Sequence, residues 1–142
     1  MVAEQVDTLA LGVAMLRDAL RRGDAIDMTA SGFSMWPRIQ DGSLVHVEPC
    51  SGADVDLGDV VLFEEPRRLV LHRVLRATES HVFTKGDACF QPDGWVAREQ
   101  VLGRIPRRPG DSVMARVSPY LSRPLGFASI LARRISGLAS KF

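Results

Sequence analysis

The chain has 142 residues, enough for one compact domain with a core that buries most of its apolar surface, and too few for two comfortably independent ones. Eighteen basic residues stand against seventeen acidic ones, and the net charge of +1 argues against a general nucleic-acid binder. The distribution is uneven: Ser112 to Phe142 holds five basic residues and no acid, which leaves 13 basic against 17 acidic residues, or −4, in the rest. The pattern is a basic tail on a mildly acidic body.

Val6, Leu9, Ala10, Val13, Leu16 and Leu20 fall on one face at helical spacing, with Glu4 and Asp7 near the start and Arg21, Arg22 and Gly23 at the end. These signals predict an N-terminal amphipathic helix within residues 1–24, built for packing. From Ser31 onward short β-type runs alternate with turn residues: "SLVHVEP", "DVVLFEE", "LVLHRVL", "HVFTKGD" and "VLGRIPRR". They predict a mostly β domain over 31–108, an antiparallel sheet or partly open barrel. The basic tail over 112–142 is expected to carry a C-terminal amphipathic helix from about Leu125, with Leu131, Ile135, Leu138 and Phe142 on one face. A basic helix of this kind suits peripheral contact with an anionic membrane, the alternative being packing on the chain's own domain.

Cys50 and Cys89 lie 39 positions apart without CxxC or Cys/His spacing and are expected to be reduced thiols. His46, His72 and His81 are not at ligand spacing, so neither a metal nor another cofactor is expected. The longest promising apolar run, "TLALGVAML", has nine residues against the roughly 18 to 20 that cross a bilayer. With no secretory leader recognised, the expected location is the cytoplasm or the periphery of a membrane.

The stretch "GFSMWPRIQDG" sets Ser34 between a glycine–aromatic pair and a Met-Trp-Pro triplet. A serine hydroxyl becomes a useful nucleophile only when a base takes its proton. Lys85 and Lys141 are the two lysines: one in the tail, the other in the turn-like "TKGD", where nothing signals the burial that would depress its pKa. Histidine already titrates near neutrality, around 6 to 7, and His72 lies mid-strand on the same face as Val70 and Val74. A histidine on an apolar strand face is more often a core residue, and the residues alone leave that reading open.

In order and spacing, "GFSMWP…DG", "LGDVVLF", "LHRV", "TKGDACFQPD" and "VLGRI" resemble the boxes of type I signal peptidases over about residues 31–105. The likeness is to the endoplasmic-reticulum, archaeal and spore-former branch, which uses serine and histidine where most bacterial enzymes use serine and lysine. The resemblance implies Ser34 as nucleophile, His72 as general base and Asp93 as the acid behind it, with Asp87 a supporting or structural aspartate or the acid itself. Met35 is then expected to line the site, Pro37 to set the following turn and Gly32 to allow close backbone approach. Gly32 occupies the position where many lysine-type enzymes carry an oxyanion-binding serine, so backbone N–H groups, that of Ser34 first, are expected to do this work. The repressor autoproteases of the same superfamily share the serine box, but their strand lysine is replaced here by His72. The implied activity is a serine endopeptidase that cleaves a leader or precursor peptide after small residues. Two alternatives stay beside it: a soluble maturation protease for a ribosomally made peptide, and a non-catalytic peptide-binding module on the same fold.

Overall fold

The computed structural model describes residues 2–66 and 68–117. It is mostly β: one helix, α1 (Val2–Arg21), precedes seven strands, β1 (Ile26–Thr29), β2 (Leu44–Pro49), β3 (Val60–Glu65), β4 (Arg68–Ala77), β5 (His81–Lys85), β6 (Gly94–Ala97) and β7 (Val101–Arg104). The strands form a single antiparallel sheet in the order β1-β2-β7-β3-β4-β5-β6, curled into a half-barrel. Residues 111–117 are helical. The C-terminal amphipathic helix expected from Leu125 to Phe142 lies outside the described residues. No helix among the described residues is long and apolar enough to cross a membrane.

The expected N-terminal helix is present and ends where Gly23 adopts a φ of +93°, a conformation that disfavours any side chain. Its N–H donates to Leu20 at 3.1 Å and that of Asp24 to Ala19 at 3.0 Å, which satisfies two of the carbonyls left over at the helix end. Leu20 is fully buried against the sheet, with Val13 and Leu16 half-buried on the same side.

β3 is the hinge of the packing. Alternation sends Val60 and Leu62 to a core beneath α1 that also holds Val45, Val47, Met35 and Leu102, while Val61 and Phe63 join Val70, Val74, Val82 and Val96 on the other face. Both faces are covered, so the run reads as continuously apolar where β2 shows the alternation of a strand covered on one side. The two strands not expected from the sequence, β1 and β6, are four residues each and sit at the two edges of the sheet. Pairing with a longer neighbour places them, not a pattern of their own.

Candidate active site

The loop that carries Ser34 leaves β1 and returns into β2. Its start is tied by the Gly32 N–H donating to Asp41 Oδ1 at 2.8 Å, and its centre by turn bonds from Trp36 to Phe33 and from Ile39 to Met35. The Trp36–Pro37 peptide is cis. The Ser34 carbonyl accepts the N–H of Ala88 at 2.9 Å, and this bond fastens the serine loop to the turn that follows β5. That turn is closed by the Cys89 N–H donating to the Gly86 carbonyl at 3.0 Å.

His72 projects from β4 on the face of Val70 and Val74, with its ring edge-on to Phe63 at 6.3 Å between centroids. Its Nδ1 and Asp93 Oδ2 are 2.6 Å apart, and the same carboxylate oxygen accepts the Thr84 hydroxyl at 2.8 Å. The opposite nitrogen, Nε2, faces the serine loop. A β-carbon added at Gly86 would meet Cys89 Sγ at 2.6 Å, the Ser34 carbonyl oxygen at 2.7 Å and His72 Nε2 at 3.0 Å. Three parts of the chain distant in sequence therefore converge on one point, and only a residue without a side chain leaves them room.

Burial works to lower the His72 pKa, but hydrogen bonds and charge interactions with Asp93 and Cys89 outweigh it and push the imidazole up to about 9. The shift from the usual 6 to 7 runs in the direction that a carboxylate behind the ring implies: with carboxylate and thiol both against it, the ring binds its proton more tightly.

Of the two candidate acids, Asp93 is on His72 and Asp87 is elsewhere. Asp87 accepts both Nε and Nη2 of Arg73 at 2.8 Å, and Arg73, fully buried, also donates to the Gly58 carbonyl at 2.9 Å and to Asp111 Oδ1 at 3.1 Å. Arg38, three residues beyond Met35, reaches the same Asp111 oxygen at 3.2 Å. This buried network joins the serine loop, β4, the turn after β5 and the helical residues 111–117. Arg73 and Asp111 carried no sequence signal beyond their types. Met35, expected to line the site, is turned into the core, and its Sδ accepts the Asp87 N–H at 3.4 Å.

Lys85 departs from its expected turn-like setting. It ends β5 at 3% exposure, donates to the Gly86 carbonyl at 2.9 Å, and has its pKa lowered by burial. The other histidines lie on the surface: His46 pairs with Asp27 across β1 and β2 at 2.7 Å, and His81 with Ser80 at 2.8 Å. An open groove of about 640 Å³ lies apart from this cluster, between the end of α1 and the 98–102 segment. It contains Cys50, whose thiol burial pushes up to about 11, and none of Ser34, His72 or Asp93 lines it.

No protein-family model matches the chain, and no curated protein matches its sequence.

Proposed function

We propose that this chain is a serine endopeptidase, similar to signal peptidases of the serine–histidine branch, that cleaves a leader or precursor peptide after small residues. The observation that supports this most is the two-sided setting of His72. Asp93 occupies Nδ1, and Nε2 is turned to the place where the serine loop meets Gly86. A carboxylate on one nitrogen selects the tautomer whose other nitrogen can accept a proton, and it stabilises the imidazolium that results.

In this reading the Ser34 hydroxyl attacks the scissile carbonyl as its proton passes to Nε2. The tetrahedral oxyanion is held by backbone N–H groups, among which that of Ser34 is nearest the new bond. Gly32 is not available for this work, since its N–H is committed to Asp41. The imidazolium then protonates the leaving amine, and a water activated by the same ring releases the acyl group. Because β1 is an edge strand among the described residues and ends five residues before Ser34, a peptide laid extended along its outer edge would lie beside the chain that leads into the serine loop.

A serine-directed fluorophosphonate probe tests the reading. Labelling confined to Ser34, lost in Ser34→Ala and strongly reduced in His72→Ala, is the expected result. A folded protein that takes up no label, yet binds a leader peptide, would instead make it a binding module. Flotation with anionic vesicles distinguishes a protease working at a membrane from one acting on a soluble precursor.

A further inference from the structure

Cys89 is the one group at the convergence point to which the mechanism gives no task. It is a free thiol, 5% exposed, on a turn pinned by its own N–H to Gly86 and by the Ala88 N–H to the Ser34 carbonyl. Its sulfur and His72 Nε2 lie within 2.6 and 3.0 Å of the same point beside Gly86, and the thiol is a hydrogen-bond partner of the ring. The far nitrogen of that ring is already on Asp93. Cys89, His72 and Asp93 thus form a thiol–imidazole–carboxylate series that crosses the serine series at the imidazole. Proximity to a histidine backed by an acid is what converts an inert buried thiol into a reactive one.

We propose that Cys89 is a second nucleophile on the imidazole that Ser34 uses, a modification site for small, soft electrophiles, and that capture of one there takes the base away from the serine. The second half rests on the serine peptidase reading; the first does not. With an alkyl halide the thiol proton passes to Nε2, sulfur forms the bond to carbon, and halide leaves while the imidazolium keeps the proton. With hydrogen peroxide the sulfur–oxygen bond forms as the oxygen–oxygen bond breaks, and the departing hydroxide takes the imidazolium proton as water, leaving the sulfenic acid. Either product places new atoms against Nε2, where the Ser34 hydroxyl has to come.

Cys50 provides an internal control. It is the more exposed thiol, but it has no imidazole, and burial pushes its pKa up to about 11. Access alone predicts that Cys50 reacts first; activation by His72 predicts the reverse. The full-length protein is treated with limiting iodoacetamide at about pH 9, where His72 is half deprotonated and its Nε2 can accept the thiol proton, and the two sites are quantified by peptide mass mapping. Cys89 is expected to react faster than Cys50 by at least about tenfold, with the order inverted in His72→Ala. Asp93→Asn, which keeps the shape of the site, is expected to slow Cys89 in the same direction and covers the case in which His72→Ala does not fold. Faster reaction at Cys50 in the native protein, or a Cys89 rate unchanged in both variants, would overturn the proposal. In a Cys50→Ser background, alkylation of Cys89 is then followed by the fluorophosphonate probe. Loss of Ser34 labelling is expected, and undiminished labelling of the alkylated protein would refute the shared base. If Ser34 takes no label even before alkylation, the serine reading fails, while the mapping result still decides for or against the reactive thiol.

Discussion

Asp93→Asn removes the charge behind His72 while leaving the shape of the site nearly unchanged, and its effect on stability has a calculable sign. In the native protein burial works against the His72 proton, Asp93 and Cys89 outweigh it, and the pKa stands at about 9 against 6.5 for a free histidine. A group whose folded pKa is raised contributes stability that is fully present below the unfolded value and lost as pH rises through the folded one. The relevant window therefore runs from 6.5 to about 9. At about 1.36 kcal/mol per pH unit the gap bounds the contribution at roughly 3 kcal/mol. Because the His72 side chain is 7% exposed, solvent screening removes little of it. Lys85 acts in the opposite sense: burial lowers its pKa, so its contribution grows as pH rises.

The informative quantity is for that reason the difference between native protein and Asp93→Asn, in which the Lys85 contribution largely cancels. Urea unfolding at several pH values from about 6 to about 9.5 should give a difference that is largest at the acid end and shrinks by on the order of 2 kcal/mol toward the alkaline end. Nuclear magnetic resonance titration of the His72 ring should show its midpoint falling in the variant. Activity on a leader peptide should rise as the native His72 loses its proton, with an acid limb in kcat/KM near pH 9. Asp93→Asn should move that limb down while lowering the plateau by up to about 10^4-fold, since the tautomer is no longer held. A stability difference that stays constant with pH, together with an unmoved limb, would refute the pairing as the source of the shift.

Ser34→Ala and His72→Ala should each lower peptide turnover by on the order of 10^4 to 10^6-fold, with the double variant hardly worse, because the two act as one unit; losses that multiply would contradict this. Asp87→Asn leaves the buried Arg73 guanidinium short of its bidentate partner and should cost about 3 to 5 kcal/mol in urea unfolding, with a loss under about 1 kcal/mol counting against a structural role. Gly86→Ala forces a carbon to within 2.6 Å of Cys89 Sγ and 2.7 Å of the Ser34 carbonyl. It should destabilise the fold by about 1 to 3 kcal/mol, leave far-ultraviolet circular dichroism native, and sharply slow probe labelling at Ser34; labelling at the native rate would mean that the convergence point is not the reacting site.

Much of the architecture was legible because the longer strands announce themselves. The alternation in β2 and β4 and the apolar run of β3 follow directly from how many faces each strand has covered. β1 and β6 were not legible: four residues at a sheet edge are too few to display a period, and their pairing depends on partners far along the chain. Lys85 was misjudged for a related reason. A lysine beside glycine and aspartate reads as a solvated turn, and nothing local says that the end of β5 is buried and leaves it 3% exposed.

The two aspartates show where local reading stops and topology takes over. Asp87 and Asp93 stand six positions apart in one loop, and composition gives no reason to prefer either as the partner of a base. β4 separates them. His72 and Arg73 are consecutive, so they leave the strand on opposite faces: one joins the Val70 and Val74 face, the other enters the buried network of Gly58 and Asp111. Arg73 is paired with Lys85 across β4 and β5, which brings the residues just after Lys85 within reach of its guanidinium. Asp87 is taken there, while Asp93 is drawn back to the other face by its N–H donating to the Thr84 carbonyl at 2.9 Å and by the Thr84 hydroxyl on its carboxylate. A fully buried arginine without Asp87 would itself compete for any carboxylate nearby. The structural ion pair is in this sense a condition of the candidate site: by occupying Asp87 on one face, it leaves Asp93 to His72 on the other.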